Sequence, residues 1–467
     1  MTDDVDVLVV GFGTAGAAAA IAAHDAGATV AVLEKTGAGG GNCLYSGGFL
    51  FDVDGPSAVD HLDALCFGKT DTSVLAAFRD GLHEVPAWIE SLGGATTPLD
   101  PAAFGGLIPS WPHFPGAGHV RYHQFVPHPG ERPGPGLWRT LEAAVRSRGI
   151  RVELNVAVTE LIVEDGTVTG VIAGSDAAPR AIRARRGVVL ASGGFEHDAT
   201  LRDAYLPIPL TAVGHPGNTG DTLALAQQAR AALWHMSVFF GWFAFVHPDF
   251  PAAFTLDVFA PSHIYVDGDG RRFADETGWE VHDKLRCVTT YQPHRANRPK
   301  MPGFIIFDET ARLAGPLNGI VGTPNDYTWS ADNGAEVEAG WIRRADSVEE
   351  LARAVGLDAA ILSATLTEYH AAVSAGHDEL FGRRPDTLAP LVPPLYAIPM
   401  TPGVATASGG PQHDHLARVV RPDGSPIEGL YGAGGASSIW GHLTEHGGGL
   451  TDAIVFGRVA GRHAASR

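Results

Sequence analysis

The chain has 467 residues, 45% hydrophobic and 18% charged, with 59 Gly and 32 Pro, and no repeat or low-complexity tract, which excludes disordered, collagen-like and solenoid classes and leaves two or three globular domains at roughly 150 residues each. Lys and Arg number 33 against 52 Asp and Glu, a net charge of −19, and a surface of that sign excludes nucleic acid as a partner. The opening Met1-Thr2-Asp3-Asp4 lacks a basic stretch, and the alanine-rich run 15–23 passes straight into His24-Asp25, so neither a signal peptide nor a membrane span is expected.

The first element is a short apolar strand, Val5 to Val10, with an acid, Asp6, inside it. It breaks into Gly11-Phe12-Gly13-Thr14-Ala15-Gly16 and an alanine-rich helix to about Gly27, and a second apolar run, 29–33, ends at Glu34. Strand, glycine turn, helix, strand and acid, in that order, predict a dinucleotide-binding fold. Gly11 permits the tight turn, Gly13 lets the backbone approach a pyrophosphate, and Gly16 lets the helix lie close on the strand. The first-turn N–H groups, at Thr14 and Ala15, face the phosphates with the helix dipole behind them. Glu34 is placed to accept hydrogen bonds from the adenosine ribose, with Lys35 beside it as a further cofactor contact.

Next comes a glycine-dense segment, Gly37-Ala38-Gly39-Gly40-Gly41-Asn42-Cys43-Leu44-Tyr45-Ser46-Gly47-Gly48. It offers Gly41, Asn42, Ser46, Gly47 and Gly48 as ligand contacts. Here the sequence resembles the flavoprotein superfamily of fumarate reductase, succinate dehydrogenase flavoprotein subunit, L-aspartate oxidase and 3-ketosteroid dehydrogenase, in which a similar segment packs against the isoalloxazine. Cys43, Cys66 and Cys287 lie far apart, with no Cys-x-x-Cys spacing. They predict neither a disulfide framework nor a metal cluster, so a reducing cytoplasm is expected and the redox chemistry falls to an organic cofactor.

The resemblance continues down the chain. Strands over 152–172, including Ala157 and Val158, resemble the family's β-meander, and Gly187-Val188-Val189-Leu190-Ala191-Ser192-Gly193-Gly194-Phe195 resembles its return to the nucleotide at Ala191, Ser192 and Gly193. His215-Pro216-Gly217-Asn218-Thr219-Gly220-Asp221 resembles its H-x-x-N-T-G-D turn, which adds Asn218 and Asp221. A cap strand pair follows at 264–267 and 272–276, then an irregular 281–345 and an amphipathic helix over 348–374. Near the end, Gly429-Leu430-Tyr431-Gly432-Ala433-Gly434-Gly435 adds Gly434 and Gly435, and the start of the last helix adds Gly449 and Leu450.

The resemblance implies an α/β protein. A Rossmann-type FAD-binding domain, split over 1–235 and 395–467, carries an inserted α+β cap or substrate domain over 236–394. The substrate then lies between cap and flavin. FAD is expected to be dissociable, because counting back from Gly47-Gly48 to the position of the family's covalent histidine reaches Gly41 or Asn42. No second dinucleotide fingerprint appears, so a nicotinamide cofactor is not indicated, and the electron acceptor is open.

In the dicarboxylate branch, arginines and histidines clamp carboxylates. Here His282 stands where the cap's donor arginine is expected, the stretch 441–449 holds no arginine, and 405–410 lacks the family's histidine. In their place is an aromatic run over 234–259. Phe240, Trp242 and Tyr265 are candidates to line an apolar pocket, with cap core as the other reading. The C-terminal stretches 419–431 and 453–461 resemble the ketosteroid-dehydrogenase branch, which removes two hydrogens beside a ring ketone; its active-site tyrosine falls here at about Leu443 or Thr444.

Desaturation beside a ketone needs a base for the α proton, an acceptor for the β hydride, and donors for the developing enolate oxygen. Backbone N–H groups of Gly447 and Gly448 are candidates for that oxygen or for the flavin pyrimidine carbonyl. His282, His442 and His446 are candidates for acid, base or polariser, because imidazole titrates near neutral pH. Glu445 either caps the turn or catalyses, and Tyr122 and His123 are candidates to close over the ring. The sequence His442-x-x-Glu445-His446 also matches the inverted zinc-protease pattern, but three glycines follow it at once, and no metal is expected. The expected activity is α,β-dehydrogenation of an apolar cyclic ketone by an FAD enzyme, reversal being open. The alternatives are a fumarate-reductase or tricarballylate-dehydrogenase type of enzyme, and, outside enzymes, a flavin-loaded subunit docking on an iron–sulfur partner.

Overall fold

The computed structural model describes residues 4–100, 110–175, 178–278, 284–289, 299–319 and 321–467. The chain divides into two compact units: Met1–Leu206, Gly214–Phe239 and Thr406–Arg467 form the first, and Pro207–Val213 with Phe240–Ala405 the second.

In the first unit, β1 (Val5–Val10) is buried along its whole length. It pairs in parallel with β2 (Val30–Leu33) on one side and Ala178–Leu190 on the other, Val7 lying opposite both Val30 and Gly187. Pro426–Gly432 and Arg151–Glu153 extend the sheet in parallel beyond Ala178–Leu190 and β2. Asp6 is tolerated in this buried strand because Thr29, just before β2, donates to it from both N–H and hydroxyl at 2.8 Å, and Arg185 Nε adds a bond at 3.0 Å. The acid that looked misplaced in the sequence thus ties three strands together at one end.

Between β1 and β2 runs α1 (Thr14–Asp25), buried from Thr14 to Ala23. A helix buried on all sides needs no polar face, which is why it is nearly all alanine. One side lies on the sheet and the other on the last helix, Gly448–Ser466. A Cβ on Gly457 would stand 2.5 Å from the Ala15 carbonyl, and one on Gly461 2.1 Å from that of Ala19. The two helices therefore run in the same direction with backbones in contact.

The rest of this unit includes a small antiparallel sheet in the order β3 (Phe49–Val53), β5 (Val120–Phe125), β4 (Thr96–Pro98), and the helix α2 (Ala58–Cys66).

The second unit is built on the strand Leu395–Val404, which pairs with Gly303–Asp308, Phe243–Phe245, Arg343–Ala345 and Thr211–Ala212. The chain leaves this unit only after that strand, at 405/406, where the sequence placed the switch at 394/395. Its apolar run read equally well as a strand of either unit. The helix expected over 348–374 is two, Val348–Val355 and Ala359–Ala375, broken at Gly356 and restarted by an Asp358 cap. Their apolar faces, with Leu351, Leu362 and Tyr369, pack on Ile264 and Ile306 of the sheet.

The expected strand pair at 264–267 and 272–276 is instead a single bridge between Val266 and Arg272. His263–Val266 pairs with Gly303–Asp308, while Arg272 turns into a buried ion cluster. Arg272 Nε bonds Glu276 at 2.7 Å, its other arm meets Asp378 at 2.8 Å, and Arg383 reaches Glu276 at 3.0 Å. Among the described residues no helix is long and apolar enough to cross a membrane.

The N–H of Thr29, followed by the nearby Arg185, lowers the Asp6 carboxyl to about 2 from the ordinary 3.8. Its stabilisation is present above the unfolded value and is lost as pH falls through about 2. Asp6→Asn is expected to cost about 2 kcal/mol at pH 7, and urea titrations at descending pH should show the gap from wild type beginning to close below pH 4.

Candidate active site

All the elements that follow belong to the first unit unless stated. Gly11 has φ +99°, and a Cβ there would stand 2.6 Å from the Ala191 carbonyl; one on Gly16 would stand 2.0 Å from the Gly11 carbonyl. The turn is therefore closed to larger residues at both points. Glu34 braces it. Oε2 accepts from Phe12 N–H at 2.8 Å, and Oε1 accepts from the Thr36 N–H and hydroxyl at 2.8 Å each. A carboxylate offers about four lone-pair sites, so one at Oε2 is left for a ribose hydroxyl.

The fit to a dinucleotide shows in glycines whose missing side chains face space. A Cβ on Gly13 would meet nothing nearer than 3.7 Å and on Gly41 nothing nearer than 3.8 Å, the latter being the Gly13 Cα. Gly435 is open to 3.7 Å and Gly449 beyond 4 Å. No described residue accepts from the N–H of Gly449 or Leu450, the first turn of the last helix, which is where a helix holds orphan donors and positive potential. Ala157 and Val158 lie next to Asn155 and Val156, whose N–H groups donate to Thr36 and Glu34 carbonyls at 3.0 and 2.9 Å. A Cβ on Gly434 would stand 2.8 Å from that of Ala15, so the two residues are pressed together.

Several polar side chains expected at the cofactor also have protein partners. Lys35 Nζ bonds the Thr219 hydroxyl at 2.6 Å and the Asp221 carboxylate, so these two charges answer each other. Ser192 shares a hydrogen bond with Thr222 at 2.7 Å. Ser46 donates to the Cys43 carbonyl at 2.9 Å and caps a 3-10 turn over Gly41–Tyr45. Gly47 and Gly48 leave that turn with their carbonyls bonded to Gln124 Nε2 and Phe125 N–H, both at 2.9 Å.

Asn42 and Asn218 converge on a residue that the sequence reading passed over, Glu196. Their side-chain amides donate to its Oε1 at 2.9 and 2.6 Å, and the Ala407 N–H approaches Oε2 at 3.4 Å. Asn42 Oδ1 in turn accepts from His215 N–H at 2.6 Å. Glu196 is fully buried, and that burial pushes its pKa up against the pull of the amides. A Cβ on Gly194 would stand 2.5 Å from the carboxyl, so the Gly193-Gly194 pair that precedes the acid makes room for it. An acid directly after a glycine return was the available signal. A Cβ on Gly193, at φ +78°, would likewise strike Asn218 at 2.3 Å.

The stretch 441–447 is not helical; the helix starts at Gly448. The side chains of the H-x-x-E-H pattern accordingly go to separate places. The His442 ring lies 4.1 Å from that of Phe67, and the buried His446 ring 4.3 Å from that of Phe49. Glu445, fully buried, bonds His61 Nε2 at 2.8 Å and receives the Tyr122 hydroxyl. Burial, then the Glu445 charge, pushes the Tyr122 phenol far up. His61, on α2, was not anticipated. His123 is half-buried on β5 opposite Leu50.

Gly447, at φ +85°, is wedged on the Phe49–Leu50 backbone, with a would-be Cβ 2.6 Å away. The Gly448 N–H, expected to serve an oxyanion or the flavin, is already bonded to the Glu445 carbonyl at 2.8 Å as the helix cap.

His282 lies outside the described residues. In the second unit Tyr265 is 3% exposed and packs on Phe243 at 5.3 Å and Phe273 at 6.4 Å, a core position. Phe240 and Trp242 are buried as well. Phe245 and Phe254, with Trp329 and Trp341, form a ring cluster at 5.5–6.4 Å, so much of the aromatic run is core.

A family model described as "FAD binding domain" matches residues 6–450. The chain is 30% identical to a 3-oxosteroid 1-dehydrogenase of Mycolicibacterium smegmatis, over 98% of this chain and 96% of that protein. It is 28% identical to a fumarate reductase (cytochrome) of Shewanella frigidimarina over 99% of this chain and 77% of that protein. The structure of 3-ketosteroid delta1-dehydrogenase from Sterolibacterium denitrificans, in complex with 1,4-androstadiene-3,17-dione, superposes with TM-score 0.86 at 25% identity over 100% of both chains.

Removing Glu196 takes a shared acceptor from the Asn42 and Asn218 amides. Glu196→Ala is expected to cost about 2–3 kcal/mol and to weaken FAD retention, while Glu196→Gln, which keeps an acceptor for both asparagines, should stay within about 1 kcal/mol of wild type. Thermal unfolding and FAD titration of the stripped protein check both.

Proposed function

The chain belongs to the FAD binding domain family, matched from residue 6 to residue 450, and on that premise we propose that it removes two hydrogens from adjacent carbons beside the carbonyl of an apolar cyclic ketone. Bound, dissociable FAD supplies the two-electron acceptor for the hydride. In this reading the glycine turn Gly11–Gly16, with Thr14 and Ala15, and Gly41 hold the pyrophosphate. The remaining Glu34 lone pair takes the ribose, with Ala157 and Val158 on the adenine side. Gly434, Gly435 and the open N–H groups of Gly449 and Leu450 hold the flavin end. Gly193 and Glu196 act by setting the backbone.

His446 is the side chain assigned to move the α proton. It is buried on Phe49 directly beside the glycine cap, and imidazole is the side chain suited to moving a proton near neutral pH. The Gly447 N–H is assigned to the developing enolate oxygen. The observation that carries the reading is that 441–450 contains neither Arg nor Lys. The groups available there, backbone N–H and imidazole, suit a neutral carbonyl, whereas paired carboxylates call for guanidinium forks. The resemblance to 3-oxosteroid 1-dehydrogenases over nearly both full lengths supports the same substrate class. Cys43 and Cys66, buried thiols that burial pushes up to about 11, fit a reducing cytoplasm.

Anaerobic addition of a saturated 3-oxosteroid to the FAD-loaded protein is expected to bleach the flavin band without dithionite. No bleaching, together with reoxidation of photoreduced flavin by fumarate, would overturn the reading. His446→Ala should slow the bleaching by about two orders of magnitude or more with FAD still bound. A loss of that size in His282→Ala alone would move the role to His282.

A further inference from the structure

We propose that His61 is a positioning residue for this chemistry: with Glu445 and Tyr122 it holds one shared proton that locks the turn carrying His446 and Gly447. The proposal rests on the assignment of that turn to the site. Its test includes a readout that needs no substrate.

Three segments far apart in sequence meet here. His61 stands on α2, Tyr122 on β5, and Glu445 in the turn before the last helix. His61 and Glu445 are fully buried and Tyr122 is 4% exposed, so no water shares the bonds by default. The protons can be counted. His61 Nδ1 lies 2.8 Å from the Pro115 carbonyl, which only accepts, so Nδ1 carries a hydrogen. The Tyr122 oxygen receives the Ser110 N–H at 3.1 Å and donates its own hydrogen to Glu445 Oε2.

The remaining contact, His61 Nε2 to Glu445 Oε1 at 2.8 Å, needs one more hydrogen. Without it, a nitrogen lone pair would face a carboxylate oxygen in a dry interior. With it, the pair is either imidazolium and carboxylate or imidazole and carboxylic acid, and both are satisfied. The cluster is therefore complete with a single exchangeable proton.

The turn is tied at both ends, by the Leu443 N–H on the Leu65 carbonyl at 2.8 Å and by the Thr451 N–H and hydroxyl on the Gly447 carbonyl at 3.1 and 2.9 Å. Residues 441–447 form no helix or strand. Around Glu445 the backbone is held by Trp111 Nε1 on the Thr444 carbonyl at 2.9 Å and by the Gly448 N–H on the Glu445 carbonyl at 2.8 Å. Between those ties the Glu445 carboxyl is a buried side-chain anchor at the residue adjoining the His446 ring and the Gly447 N–H, and His61 and Tyr122 together hold that carboxyl in place.

The test uses the holoenzyme, with His61→Leu, Tyr122→Phe, Glu445→Ala and Glu445→Gln. The first readout is affinity for sulfite, followed as bleaching of the flavin band, which reports the groups held at the flavin and requires no turnover. The second is kcat and KM per bound flavin with the ketone. His61→Leu and Glu445→Ala are expected to change sulfite affinity about tenfold and to lower kcat by about 10- to 100-fold, the scale of a small misplacement of reacting groups, while KM moves little. Glu445→Gln, which can still donate to Nε2 and accept from Tyr122, should recover most of the loss seen in Glu445→Ala.

Should His61→Leu fail to fold, Tyr122→Phe keeps the ring, drops one bond, and is expected to show a smaller loss of the same sign. Sulfite affinity and kcat per flavin within about twofold of wild type in the variants that fold would overturn the proposal, as would an equal loss in Glu445→Gln and Glu445→Ala. If sulfite affinity shifts but no ketone reacts with any form, the substrate reading falls and the positioning role stands.

Discussion

The nucleotide-binding half depends on how closely two helices can approach. Alanine along α1 and glycine at 457 and 461 let the last helix lie against the backbone carbonyls of Ala15 and Ala19, and any side chain at those glycines would push it away. Because the two helices run in the same direction with Gly457 beside Ala15, the last helix starts nine residues before that contact and α1 only one. At 1.5 Å per residue their N-terminal ends are staggered by roughly 12 Å. Two positive helix ends at that separation suit an elongated cofactor with a pyrophosphate at one point and ring carbonyls at another.

Around that helix pair, carboxyl groups do work more often given to cations. The partly buried Glu34 and the fully buried Glu196 and Glu445 each collect N–H or O–H donors from another segment of the chain. A carboxyl can gather several donors while its own chain stays short, so it fixes the relative position of loops more tightly than a long charged arm. The cost is dehydration, visible in the upward push on Glu196. That cost is met only while every donor stays in place.

This explains which features were legible in the sequence. The glycine turn, α1, β2 and Glu34 sit within thirty-odd residues, and the periodicity and spacing that define them are local. The family, its FAD cofactor and the reaction class were therefore readable from ordered motifs. Glu196 and His61 were not, since their significance lies in partners such as Asn42 and Glu445, which only folding brings near. Asn42 and Asn218 were expected at the cofactor, and the sequence did not show that their amides also meet at Glu196. Motifs record that a residue belongs near a site without saying what its side chain touches. The strand Leu395–Val404 was misplaced for a related reason: an apolar run announces burial, and only pairing tells which sheet receives it.

The partnership of α1 with the last helix also sets a timetable. On the ribosome, β1 and α1 emerge before the last helix that covers them, which is encoded after everything between Asp25 and Gly448. At about 5–20 residues per second, that interval lasts roughly 20–80 s. Throughout it an alanine-covered flank is exposed to chaperones and to other nascent chains, and the flavin cannot find its full complement of contacts. The two helix N-termini that suit the cofactor therefore come together only after that interval.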